Sequence, residues 1–522
     1  MKALTCTQMA RLERRAIEEA GIPAEQLMER AGAGVARAVE RLARLAPPGP
    51  RHCLLVAGKG NNGGDAFVAA RLLQTSGFHV AVTLTAPATA LQGAAAHHFH
   101  LMAESGAHVA ERPLESDWNT LRLFREPGAR VVVDGLLGTG LQGPARGVAA
   151  RAIEHVNLRG QQDPVVAIDI PSGLNADSGA AEGPAVRADL TVTMGYPKRG
   201  LLQPCALDFV GNVELVDIGI PSSYGKELEA ELEMIAVPDL VPLVTRRPRQ
   251  AHKGGYGHVL IVAGSHGMSG AAGLAARAAL RSGAGLVSVL TPAGVAPTVA
   301  AMAPEAMVHA GAETDGGGLA ADSLRSGGPD LDVFDAILLG PGLGVGPGTQ
   351  ALVEQVLDRA TVPIALDADA LNVCAGHAET VRRARAPVVV APHPGEMARL
   401  LGCSTAEVQA DRIQAAWQAE QALNSFVVLK GAGTLVCRHG HKLQVNMTGN
   451  PGMACGGMGD ALAGLLAGLL AQKLAPFDAA RLAVWLHGCA GDHAALAKAK
   501  PGLTASDLIE AFPSAWKDIG AR

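Results

Sequence analysis

Asn446-Met-Thr-Gly-Asn450-Pro451-Gly452-Met-Ala-Cys-Gly456-Gly457-Met458-Gly459-Asp460 leads straight into Ala461-Leu-Ala-Gly-Leu-Leu-Ala-Gly-Leu-Leu-Ala-Gln472. A glycine-dense loop ends in an acid and a helix follows at once. Glycines let backbone N–H groups approach a ligand with no Cβ in the way. The N-terminus of the next helix adds unpaired N–H donors and the positive end of its dipole. Together these features suit a phosphate. The same positive field should favour the ionised form of Asp460, which could then act as a base on a hydroxyl beside the phosphate. An ordinary N-cap Asp is the plainer alternative, but a cap needs no run of Gly456, Gly457 and Gly459. The helix is apolar on every side, so burial is expected. It is shorter than the ~20 apolar residues that span a bilayer.

The chain has 522 residues, beyond one ordinary core at ~150 residues per domain. Its 48% hydrophobic and 18% charged residues fit a globular class, and abundant Gly and Pro suit an α/β fold with tight loops. A net charge of −5 gives no reason to expect nucleic acid or a membrane surface. The eight cysteines show no C-x-x-C pair and no short Cys/His cluster, which suggests free thiols in a reducing cytoplasm. The charged N-terminus, with Arg11, Glu13, Arg14 and Arg15, has no apolar run and reads as no signal peptide.

In the first half, Thr7–Glu19 and Ala24–Leu45 have helical periodicity and read as packing helices without chemistry. His52–Ala57 reads as a buried strand. It runs into Gly58-Lys59-Gly60-Asn61-Asn62-Gly63-Gly64-Asp65, with a helix expected over Ala66–Thr75. Gly58, Gly60 and Gly63 satisfy the dinucleotide fingerprint. The next strand, His79–Thr85, lacks the terminal acid that holds a ribose in nicotinamide dehydrogenases. The loop therefore suits a phosphate-bearing ligand bound in another way. His97, His98 and His100 read as a solvated helix face. Strands ending near Asp65, Asp134, Asp169 and Lys198 would gather these groups on one edge of a doubly wound sheet, where such folds bind ligands.

In the second half, strands lead into Gly264–Gly270, Gly340-Pro341-Gly342-Leu343-Gly344, Asp367-Ala-Asp369-Ala-Leu-Asn372, His393-Pro394-Gly395-Glu396 and Lys430-Gly431-Ala432-Gly433-Thr434. The repeated strand–loop–helix order implies a mostly parallel sheet with its site at the strands' carboxyl ends. Lys430 and Thr434 could line a nucleotide pocket, or merely border a hairpin turn. His393 is equally open between structure and function. His487 and His493 show no usable pattern.

Asn61–Asp65, Asp134-Gly-Leu-Leu-Gly-Thr-Gly140 and Asp169-Ile-Pro-Ser172 resemble the NAD(P)H-hydrate epimerase domain, a Rossmann-like fold. That resemblance implies that Asn62, Asp134 and Ser172 hold potassium. It implies that Asn61, Asn62, Gly63, Gly64, Asp65, Gly138, Thr139, Gly140, Leu141, Gln142, Gly143, Pro144 and Asp169 line the substrate, with Asp169 as acid/base. The family usually has Gly where this chain has Ala66. The second-half motifs resemble the ADP-dependent NAD(P)H-hydrate dehydratase, a ribokinase-like fold. Here Lys430, Gly431, Ala432, Gly433, Thr434 and Gly459 are implied to bind the nucleotide, and Ala271, Gly342, His393 and Asp460 to face the hydrated cofactor. Asp460 would be catalytic, with ADP as phosphoryl donor and Mg2+ on its phosphates.

The implied architecture is α/β throughout: a Rossmann-like doubly wound domain over 1–224, a linker over 225–236 and a ribokinase-like domain over 237–522. The expected activity is repair of hydrated NADH and NADPH by epimerisation and ADP-driven dehydration. The expected setting is cytoplasmic, as a homo-oligomer with no nucleic-acid or membrane partner. A ribokinase-type small-molecule kinase fused to a ligand-binding scaffold is the alternative.

Overall fold

The computed structural model describes residues 1–44, 49–118, 129–324 and 328–521. The chain forms two compact units, Met1–Met234 and Ile235–Arg522.

In the first unit the strands are β1 (Arg51–Ala57), β2 (His79–Leu84), β3 (His108–Glu111), β4 (Ala129–Gly135), β5 (Val165–Ile168), β6 (Leu190–Met194) and β7 (Asn212–Val216). They form one parallel sheet in the order β3-β2-β1-β4-β5-β6-β7. The strand order reverses at β1. The chain first winds outward through β2 and β3, then returns to β4 on the other side. The crevice beyond the carboxyl ends of β1 and β4 is thus the topological switch point, where no crossover helix covers the sheet edge. Helices Cys6–Glu18 and Ala24–Arg44 pack on the sheet through Leu12, Val35 and Val39. The second was expected to reach Leu45, which lies outside the described residues. The first is fixed at its start by Thr5, whose side chain accepts from Gln8 N while the Gln8 side chain accepts from Thr5 N. A short strand, β8 (Leu232–Met234), closes the unit beside residues 1–4.

In the second unit the strands are β9 (His258–Val262), β10 (Leu286–Pro292), β11 (Met307–Gly311), β12 (Ala336–Leu339), β13 (Ile364–Leu366), β14 (Val388–Val390), β15 (Phe426–Leu429), β16 (Thr434–Cys437) and β17 (Leu443–Asn446). They run in the order β11-β10-β9-β12-β13-β14-β15-β16-β17, parallel through β15 and antiparallel beyond it. The switch point recurs, here between β9 and β12. The central strands read as unbroken apolar runs because helices cover both faces; β12 and β13 are buried along their whole length.

The helix after the glycine loop, Met458–Ala471, is buried along one continuous run from Ala461 to Ala471. It crosses helix Ser269–Arg281 at backbone distance. A Cβ built on Gly464 would sit 2.1 Å from Ala275 O, and one on Gly468 would sit 2.1 Å from Ser282 Oγ. Any side chain there would force the two helices apart. Among the described residues no helix is long and apolar enough to cross a membrane, and all eight cysteines are free.

Candidate active sites

In the first unit a cavity of about 930 Å³ opens at the switch point. Gly58, Asn61, Asn62 and Asp65 reach it from the end of β1, Gly138 to Gln142 from beyond β4, and Asp169 from β5. Of the substrate residues expected, Gly63, Gly64, Gly143 and Pro144 do not form its lining. The helix begins at Asn61 rather than Ala66, so the whole Asn61–Asp65 motif is its first turn, with Gly60 before it. Ala66 is completely buried in the core, where a methyl group packs without touching the cavity.

Asp169 has φ +65. Positive φ is uncommon outside glycine, though Asp tolerates it better than most residues because its short side chain can hydrogen-bond locally. Its surroundings are a dense set of donors. Asp169 Oδ1 accepts from Thr193 Oγ1 (3.2 Å) and Met194 N (3.1 Å) and pairs with Lys198 Nζ. Lys198 is only 1% exposed and also donates to Met194 O. Sequence reading placed Lys198 at this edge but gave it no role. It missed Glu13, which lines the same cavity from a helix read as mere packing. Burial raises the Glu13 carboxyl. Burial, then Asp169 and Glu13, hold Asp65 well above the usual carboxylate range.

Asn62, Asp134 and Ser172 are brought together around the backbone of Leu137. Asn62 Nδ2 donates to Leu137 O (2.9 Å), and Ser172 Oγ accepts from Leu137 N (2.9 Å). Asp134 Oδ1 accepts from Ser172 Oγ (2.6 Å) and Oδ2 from Ser172 N (2.8 Å). Asp134 is fully buried, and burial pushes its carboxyl up to about 6 against these hydrogen bonds. The histidine reading needs one correction: His98 is buried, with Nε2 3.0 Å from Glu25 O, and only His97 and His100 are exposed.

In the second unit the predicted loops also meet at the switch point. The helix starts three residues earlier than the sequence suggested, at Met458, with Gly457 as its cap at φ +90. Asp460 is therefore a first-turn residue and not the N-cap. It is half-buried. The expectation that the helix field would favour its charge is overturned. Burial is the largest influence, Asp369 and Glu396 add to it, and Lys430 only partly offsets them, so the carboxyl is pushed up to about 6.

Lys430 does not point to solvent. Its Nζ lies 2.5 Å from Asp367 Oδ1 and 3.6 Å from Glu396 Oε2. Burial opposes the charge, but Asp367 and Glu396 outweigh it and the ammonium is held above its ordinary value. Gly459 sits against this pair: a Cβ there would be 3.5 Å from Lys430 Nζ. Residues Gly431, Ala432 and Gly433 form the tip of the β15–β16 hairpin, and Thr434 Oγ1 donates to Gly431 O (2.7 Å). The stretch is thus a hairpin turn, but its first residue, Lys430, turns inward onto Asp367 and not to solvent.

His393 caps helix Pro394–Leu401. Its Nδ1 accepts from Gly395 N (2.9 Å) and Glu396 N (3.4 Å), and its Nε2 lies 3.4 Å from Glu396 Oε1. Burial lowers its pKa, and the two bonds that Nδ1 accepts place the ring proton on Nε2. Ala271 and Gly342 are in contact: a Cβ on Gly342, at φ +62, would meet the Ala271 methyl at 3.0 Å. Two residues given no role from sequence also stand here: Asp369, which accepts from Gly344 N (2.8 Å), and His487, whose Nε2 meets the Met458 carbonyl (2.9 Å) at the start of helix Met458–Ala471.

Two family models match this chain, one within each unit. A family model described as YjeF-related protein N-terminus matches residues 24–200. One described as NAD(P)H-hydrate dehydratase matches residues 259–514. The bifunctional NAD(P)H-hydrate repair enzyme of Moorella thermoacetica is 38% identical over 519 residues, covering 99% of this chain and 97% of its own. That of Escherichia coli is 38% identical over 499 residues, covering 95% and 90%. An ADP/ATP-dependent NAD(P)H-hydrate dehydratase from Bacillus subtilis, co-crystallised with ATP and Mg2+, is 33% identical, covering 55% of this chain and 98% of its own at a TM-score of 0.48. With two units whose loops meet at matching switch points, and full-length likeness to these relatives, the chain belongs to the bifunctional NAD(P)H-hydrate repair enzymes.

Proposed function

We propose that this chain restores hydrated NADH and NADPH in two steps. The first unit, through a domain over residues 1–224, interconverts the R and S hydrates. The second, through a domain over 237–522, removes water from the S hydrate at the expense of ADP. The observation that carries the second step is Asp460: a half-buried carboxyl raised to about 6, one residue after a bare glycine and beside the Lys430 ammonium. A base of that pKa is ionised at neutral pH and still accepts a proton readily.

Hydroxide is a poor leaving group. Asp460 takes the hydroxyl proton as the oxygen attacks the terminal phosphoryl group of ADP, and the bond to AMP breaks. Amides of Gly456 to Gly459 face the charge on the transferred group. The ring nitrogen then expels phosphate, the neighbouring ring carbon gives up a proton, and the dihydronicotinamide returns. Asp369, whose oxygens keep lone pairs beyond the bonds from Gly344 N and Asn372 Nδ2, is suited to hold a phosphate-bound Mg2+, which would neutralise phosphate charge.

In the first unit, Asp169 is the acid/base at the hydrated carbon, and Lys198 holds its orientation. A potassium ion would be held by Asn62, Asp134 and Ser172 near the Leu137 carbonyl. Amide, carboxylate, hydroxyl and carbonyl oxygens are the hard donors that an alkali cation takes. Support comes from Asp134, whose hydrogen-bond donors among the described residues are all uncharged.

The test is to supply mixed NADH hydrates with ADP or ATP and follow the reduced-nicotinamide absorbance. Full recovery of both epimers supports the two-step reading. A stable phosphorylated alcohol with no recovery would favour a small-molecule kinase instead.

A further inference from the structure

We propose that Cys489, His493 and Asp518 form a binding site for a divalent transition metal of the zinc class, clasping the last helix to the one before it. The sequence reading saw no short Cys/His cluster, but Cys489 and His493 are one turn apart on helix Pro476–Lys498 and share a face. Asp518 is the last residue of helix Ala505–Asp518. Its Oδ2 lies 3.3 Å from Cys489 Sγ and 2.7 Å from His493 Nε2. All three ligand atoms lie within 4.8 Å of one another.

Zinc bonds of ~2.0–2.3 Å in a tetrahedron place ligand atoms roughly 3.3–3.8 Å apart. The three groups are thus within about an ångström of that arrangement without any backbone change. A thiolate, an imidazole and a carboxylate together select zinc, cobalt and their neighbours and reject Mg2+ and Ca2+, which take oxygen. Cys489 is buried, His493 half-buried and Asp518 exposed, so the ion enters from the Asp518 side and the fourth position is left for solvent. Binding displaces the thiol proton to solvent.

The site lies outside both active centres but is tied to one of them. Asp492, on the same helix, accepts from Gly449 N (2.9 Å) and Asn450 Nδ2 (2.9 Å), in the segment that leads to the Gly456–Asp460 loop. A clasp on this helix therefore steadies the anchor of that loop.

The test uses the untagged full chain, stripped with chelator and titrated with Co2+. One equivalent should bind with a thiolate-to-cobalt charge-transfer band. Cys489→Ser should abolish the band, and Asp518→Asn should weaken binding by about tenfold or more. Zn2+ should raise the Tm of the native chain clearly more than that of Asp518→Asn at the same metal concentration. Asp518 is a surface position, so this variant remains informative if Cys489→Ser folds poorly. Absence of the band in the native chain, or its persistence in folded Cys489→Ser, would overturn the proposal.

Discussion

Lys430 Nζ lies 2.5 Å from Asp367 Oδ1, joining the end of β15 to the end of β13 across β14. Asp367 is 2% exposed and Glu396, which shares the ammonium, 6%. Replacing Lys430 by Met leaves two buried carboxylates with no counter-charge. Removing one partner of a buried pair costs about 3–5 kcal/mol. Lys430→Met should therefore lower the Tm of the full chain and lose dehydration, and adding Asp367→Asn should recover part of the Tm. An unchanged Tm in the single variant would mean that the pair adds little to the fold.

Asp460→Asn should cut dehydration by about 10²–10⁴-fold, the usual reach of a positioned base, and leave epimerisation intact. The native enzyme should show a kcat/KM limb for dehydration that falls as pH drops through about 6, because burial raises the Asp460 carboxyl to that value and only the ionised form accepts a proton. The limb should be missing from the residual activity of Asp460→Asn. Coincident loss of epimerisation in the folded variant would refute the division of labour.

Asp169→Asn should do the reverse, stopping epimer exchange while dehydration of pure S hydrate continues. Lys198→Met should act on the same step through Asp169, which loses its buried cationic partner. Exchange between the two hydrates, followed by chromatography, reads both variants. Normal exchange rates in Lys198→Met would show that the ammonium does not position Asp169.

Gly457 and Gly456 should part sharply despite being neighbours. A Cβ on Gly457 would lie 2.7 Å from Leu274 Cδ1 at φ +90, whereas one on Gly456 meets nothing within 4 Å. Gly457→Ala should cost about 1–3 kcal/mol, the range of an overpacked site, and slow dehydration by displacing the first turn. Gly456→Ala should stay within about 0.5 kcal/mol of the native chain. Urea unfolding together with the absorbance assay measures both. Equal costs would mean that the loop relaxes freely.

What the sequence alone determined is the winding. Apolar runs such as Val165–Ile168 and Phe426–Leu429 stand as strands, each hands over to a glycine or acid loop, and that order forces the loops to the strands' carboxyl edge. Asp134 and Asp169 stood out at strand ends beside such loops and Asp460 at the end of its glycine run, whereas Asn62 and Ser172 were singled out only by resemblance to the epimerase family. Three things depended on tertiary structure. The helix register of Met458–Ala471 made Asp460 a first-turn residue, since a Gly457 cap requires a left-handed backbone that no pattern of residue types encodes. Glu13 joined the first site, and Lys198, already expected at that edge, was turned onto Asp169, because residues far apart in the chain fold against one cavity and one carboxylate. The inward turn of Lys430 and the raised pKa of Asp460 follow from burial among Asp367, Asp369 and Glu396. Desolvation and Coulomb effects depend on distance in space, and separation along the chain does not fix that distance.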